Sequence, residues 1–129
     1  MTNATSTQSI TTAPPNAFVI IAGDMKRAKL PEDYPTPSRY AATSSCIFAG
    51  CSPDVDGDTI FTIGPHDQLR PAGLTLLFDG VIDTPRHSVS VWTIAWDTLL
   101  EEKVATDRTR VRIWGNRPEF PDRVVIGLG

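Results

Sequence analysis

Only two cysteines and two histidines occur among the 129 residues of this chain, and that scarcity removes whole classes of chemistry. Cys46 and Cys51 cannot build a structural zinc site without a second pair, and His66 and His87 stand isolated in the sequence. No metal and no cofactor is expected. In Ser-Cys-Ile-Phe-Ala-Gly-Cys the two thiols read as small buried hydrophobes of a reducing compartment, with a disulfide or a redox role as the alternatives. No stretch approaches the roughly 20 apolar residues that span a bilayer. The N-terminus also lacks the cationic start and the long apolar core of a secretory signal, so a cytoplasmic protein without a membrane partner is expected. There is no Gly-x-Ser-x-Gly elbow and no phosphate-cradling glycine loop. No residue is therefore assigned as catalytic, although a hydrolase using His66 and Asp67 stays open as an alternative.

Charge is present but unevenly spread. The net charge is −3, yet residues 50–102 hold nine acids against two bases, while residues 103–129 hold six bases against three acids. Neutralisation of one half by the other is the simplest consequence, and an acidic chain disfavours nucleic acid as a partner.

The 11 prolines and 9 glycines fall mostly between short apolar runs, where they punctuate short elements. Strands are expected over residues 17–23, 44–49, 59–63, 73–79, 87–95, 99–104, 108–115 and 123–128, with residues 80–85 forming a turn or a short edge. Asp56-Gly57 is a hairpin signal, Leu30–Tyr34 suits one helical turn with Pro31 in its first position, and residues 96–106 also satisfy helical spacing. Short strands at regular spacing predict an all-β fold, a two-sheet antiparallel β-sandwich of about 7–8 strands with at most one short helix. Residues 1–16, rich in Thr, Ser and Pro and without a charged side chain, read as an N-terminal arm too poor in apolar surface to order itself. Residues 17–129 then form one domain.

Three features invite a functional reading. Asp54, Asp56 and Asp58 resemble the start of a calcium loop, but Gly57 sits at the fourth place and Pro65 occupies the twelfth, so a solvated loop is the better account. Trp92, Ile94 and Trp96 share one face of an ideal strand, either as core or with one indole exposed as a binding anchor. The third is Arg108-Thr-Arg-Val-Arg-Ile-Trp114. Alternation puts Thr109, Val111 and Ile113 on a core face, and Arg108, Arg110, Arg112 and Trp114 on the other. Guanidinium groups roughly 7 Å apart repel unless something neutralises them. Asp97, Glu101, Glu102 or Asp122 on adjacent strands would do so internally. Otherwise an acidic protein surface would, because arginine forks take carboxylates and Trp114 supplies an apolar anchor. Arg108, Arg110, Arg112 and Trp114 are accordingly the candidate partner-binding residues.

The C-terminal third carries a resemblance. Val81-Ile82-Asp83-Thr84-Pro85, Ser88-Val89-Ser90-Val91, Thr109-Arg110-Val111-Arg112-Ile113-Trp114 and Val124-Val125-Ile126-Gly127-Leu128 resemble the endings of small bacterial β-sandwich proteins of the competence-protein-J type, which inhibit a companion nuclease. About 50 of the 129 residues carry the likeness, and residues 1–72 add nothing to it. The resemblance implies a non-enzymatic immunity or inhibitor role, and it transfers no individual functional residue. A protein-binding module is thus the leading expectation, with homo-oligomerisation open. A phage or particle subunit with a docking N-terminal arm is the alternative from another class.

Overall fold

Residues 7–31 and 40–129 are described by the computed structural model, so most of the helical turn expected over residues 30–34 lies outside the described residues. The described residues form ten strands: β1 Gln8–Thr12, β2 Phe18–Ala22, β3 Ala41–Ala42, β4 Cys46–Gly50, β5 Thr59–Pro65, β6 Thr75–Asp83, β7 Ser88–Trp92, β8 Thr98–Lys103, β9 Arg108–Gly115 and β10 Arg123–Leu128. They form two five-stranded sheets, ordered β1-β5-β10-β9-β6 and β3-β4-β2-β7-β8. The all-β sandwich class holds. All pairings are antiparallel except β5 with β10, which run parallel.

The inner faces follow from the two-residue period of a strand. Val19 and Ile21, Ile47 and Ala49, and Val89 and Val91 come from one sheet; Phe61 and Ile63, Val111 and Ile113, and Val124 and Ile126 come from the other. They meet in one buried core. β2 is buried on both sides, since Phe18, Ile20 and Ala22 join Met25, Cys46 and Phe48 in a second apolar cluster on the outer face of its sheet. A continuous apolar run such as Phe-Val-Ile-Ile-Ala is what a doubly covered strand requires.

Several local expectations change, each for a physical reason. Residues 8–12, read from composition as part of an arm, are an edge strand. Their ladder with β5, the packing of Ile10 on the core and a 2.9 Å hydroxyl contact between Ser9 and Thr62 supply what composition alone lacks. Residues 73–85 are not a strand followed by a turn: β6 runs through Gly80, with an irregularity between Leu76 and Phe78. A Cβ on Gly80 would lie 2.8 Å from the Phe78 ring, so this glycine makes room for a neighbouring aromatic instead of turning the chain. Asp56-Gly57 does not close a hairpin, because β4 and β5 lie in different sheets. The loop makes a short 3-10 turn over Asp54–Asp56, and Gly57 takes a φ of 114° that glycine alone adopts readily. Residues 98–103, where helical spacing competed, are strand β8.

Both cysteines are free and buried. Burial pushes the Cys51 thiol up to about 12, and burial likewise raises Cys46. Neither should therefore react with iodoacetamide at pH 8 in the native protein, and both should react once urea unfolds the chain, as mass spectrometry of timed aliquots would show. The sealed position of Ile113 yields a second expectation: Ile113→Ala should cost roughly 2–5 kcal/mol in urea unfolding, from lost burial and the cavity left behind.

Candidate functional site

Alternation along β9 is realised: Thr109, Val111 and Ile113 are buried, Arg108 and Arg110 are exposed, and Arg112 and Trp114 are half-buried on the outer face of the first sheet. β6 and β10 flank this strand. Asp83, Val81, Asp79 and Leu76 of β6 stand opposite Arg108, Arg110, Arg112 and Trp114, while β10 places Gly127 beside Arg112 and Val125 beside Trp114. Together with Arg123 of β10, the outward strand residues of this face carry four arginines against two aspartates. A chain of net charge −3 thus concentrates cations here.

The carboxylates that meet the ladder are not those the sequence suggested. Glu101 and Glu102 lie on β8, in the other sheet, Asp97 lies in the turn before it, and Asp122 faces Arg117 at 3.6 Å. Asp79 and Asp83 do the work instead, because β6 is the sheet neighbour of β9. Arg110 engages Asp79 through both arms of its fork, Nε to Oδ1 at 2.9 Å and Nη2 to Oδ2 at 2.6 Å. That hydrogen bond is the main reason the Asp79 carboxyl sits below the usual carboxylate range, with the charges of Arg110, Arg112 and His66 adding to it. Arg108 is held only loosely, 3.7 Å from Asp83 with both side chains more than half exposed. Exposed pairs of that kind contribute about 0–1 kcal/mol. Arg112 donates from Nη2 to the Gly129 carbonyl at 2.5 Å, and its Nε is buried without a partner.

Trp114 does not project freely. Its indole stacks on the His66 imidazole, ring centroids 5.3 Å apart and planes 15° from parallel. A Cβ on Gly127 would stand 3.0 Å from the indole and 3.2 Å from His66 Nδ1, so the bare glycine forms the floor under both rings. His66, which sequence reasoning set apart as a hydrolase candidate, is thereby brought onto the arginine face. No hydrogen bond joins it to Asp67 or to a nucleophile among the described residues, and Nδ1 is buried and unpartnered.

The remaining candidates lie elsewhere. Asp54, Asp56 and Asp58 are exposed in the β4–β5 loop. β7 ends at Trp92, so Trp92, Ile94 and Trp96 are not a strand face. Thr93 organises the following turn, its Oγ1 accepting from the Ala95 and Asp97 amides. Trp92 packs on the second apolar cluster, whereas Trp96 is 60% exposed with a left-handed φ of 68°. The pairing of Asp79 and Asp83 with the ladder did leave a sequence signal. Asp79, Val81 and Asp83 share one strand parity, which becomes visible once Gly80 is read as part of the strand.

No protein-family model matches the chain, and no curated protein sequence does. Among solved structures it shares the architecture of a small β-sandwich inhibitor. That structure is ComJ from Bacillus subtilis, an inhibitor of the DNA-degrading activity of NucA, with a TM-score of 0.71 over 98% of this chain and 98% of that one, at 10% sequence identity. The likeness is therefore not confined to the C-terminal third, and at that identity it speaks for the fold alone.

The Asp79–Arg110 fork allows a pH test. A carboxyl lowered in the folded state stabilises the fold above the unfolded-state carboxylate range, and the contribution is lost as pH falls through the folded value. Wild type should thus melt higher than Asp79→Asn at pH 7, with the gap narrowing as the pH falls below the usual carboxylate range in a series of thermal scans.

Proposed function

We propose that this chain is a non-enzymatic protein-binding module that inhibits a partner protein, in the first instance a nuclease, and that the outer face of the first sheet docks on an acidic surface of that partner. One observation carries the reading: the face groups its arginines beside a stacked tryptophan, and only one of them is tied to a carboxylate in a fork. Arg110 is already neutralised by Asp79 and acts as a brace. Arg108, loosely held, and Arg112, bonded to a neutral carbonyl, retain charge for an incoming carboxylate. Trp114, held flat by His66, offers an apolar surface at little cost in side-chain entropy, the combination that concentrates binding energy at interfaces.

Support for an inhibitor comes from the shared architecture with ComJ, itself an inhibitor of a nuclease. An arginine-bearing face would be repelled by the cationic groove in which an enzyme holds DNA, so the contact expected is with carboxylate-bearing surface. The particle-subunit alternative loses ground, because residues 8–12 are engaged in the chain's own sheet.

The test is retention of a partner from source-cell extract on tagged wild-type protein, followed by purification of that partner and assay of its DNA cleavage. Arg112→Ala with Trp114→Ala should weaken binding by about tenfold or more, as loss of an interface anchor does, and relieve inhibition in parallel. Unchanged affinity would remove this face from the interface; a bound partner whose DNA cleavage is unaffected would remove the nuclease-inhibitor role.

A further inference from the structure

Trp96 stands out on the second sheet's side of the molecule, in the turn that joins β7 to β8. Its side chain is 60% exposed, and its backbone takes a left-handed φ of 68°, which a bulky residue seldom adopts. Four hydrogen bonds hold the turn in that shape. The Thr93 amide donates to the Asp97 carbonyl at 2.9 Å, the Trp96 amide donates to the Thr93 carbonyl at 3.0 Å, and Thr93 Oγ1 accepts from the Ala95 and Asp97 amides. Strain kept at a solvent-exposed indole points to recognition instead of packing.

A second indole meets the first. Trp92, half-buried on the second apolar cluster, lies edge-on to Trp96, with ring centroids 6.3 Å apart and planes 75° from parallel. Both line a cavity of about 430 Å³, within the range of small-molecule sites. Ser90 and Trp92 alternate along β7 with the core residues Val89 and Val91, which puts this cavity on the outer face of the second sheet. Strand register sets Ser90 between Ala22 of β2 and Glu101 of β8. Asp24 and Lys26, just past β2, and Arg86, just before β7, complete the polar part of the lining. Glu101, Lys26 and Arg86 form no ion pair with any described residue.

Such a lining selects by elimination. A cation would meet Lys26 and Arg86, an anion would meet Asp24 and Glu101, and a wholly apolar ligand would strip water from all four without replacing it. A neutral molecule with many hydroxyls escapes these penalties, since each hydroxyl both donates and accepts. Hydrogen bonds between hydroxyls and charged side chains are also stronger than neutral ones. The two indoles add the demand for an apolar surface on the same ligand. A sugar ring meets both conditions, with C–H groups on its faces and hydroxyls around its rim.

We propose that this cavity binds a neutral saccharide, with the indoles of Trp92 and Trp96 against the ring and Asp24, Lys26, Arg86 and Glu101 on its hydroxyls. The site lies on the sheet opposite the arginine face and does not depend on the docking role of that face.

Isotopically labelled full-length protein carries three tryptophan indole signals, and Trp114, on the other sheet, is an internal control. Titration with cellobiose, maltose, lactose and N,N′-diacetylchitobiose, with glycine betaine and n-butanol as controls, tests the proposal. The expected result is a saturable shift of the Trp92 and Trp96 signals with at least one of the sugars, while Trp114 stays in place and neither control saturates. Trp96→Gly, which removes the indole and suits a left-handed backbone, should reduce that affinity about tenfold or more, and Glu101→Gln should reduce it as well. No saturable shift with any of these sugars, or an equal response to glycine betaine or n-butanol, would overturn the proposal in the wild-type protein alone. So would unchanged sugar affinity in a Trp96→Gly protein with an otherwise native amide spectrum.

Discussion

Burial of the inward half of β9 and β10 is the constraint on which everything else in this molecule hangs. Val111, Ile113, Val124 and Ile126 are sealed from solvent, and each fully buried aliphatic side chain contributes roughly 1.5–3 kcal/mol. With the strand period equal to two, fixing these four inward leaves Arg110, Arg112, Val125 and Gly127 no choice but the outer face. A one-residue slip would bury guanidinium groups and expose the core. The cationic face is thus held by hydrophobic burial, not by its own weak ion pairs.

Charge then divides labour across that face. The Asp79 fork on Arg110 is the short, two-point contact, while the Asp83 contact with Arg108 is long and exposed. Internal neutralisation therefore accounts for Arg110, while Arg108 is held loosely and Arg112 meets a neutral carbonyl. The Trp114–His66 stack over Gly127 adds a rigid apolar edge to the same surface. On the other side of the sandwich, Gln8 and Glu102 place a polar seam where β1 and β8 meet, opposite in charge to the arginine face.

Much of the architecture was legible from residue order. The apolar runs of β2, β4, β5, β7, β9 and β10 and the alternation in β9 require only a count of parity, and they yield the fold class. Less legible were β1 and β6. Gln8–Thr12 is polar by composition and becomes a strand because β5 offers it a ladder. Gly80 looks like a turn and is instead the space into which Phe78 folds. Both depend on neighbours distant in the chain, so local pattern could not reveal them.

The same boundary runs through the candidate site. Sequence alone determined that Arg108, Arg110, Arg112 and Trp114 share a face and that Val111 and Ile113 oppose it, because side-chain direction in a strand follows from covalent geometry. Only the tertiary structure decided that Asp79 and Asp83, not Glu101 and Glu102, answer the arginines, that His66 lies under Trp114, and that Glu102 is buried beside Gln8. Those facts turn on which strands become sheet neighbours, and strand order is settled by the collective packing of two whole sheets, to which no single segment holds the key.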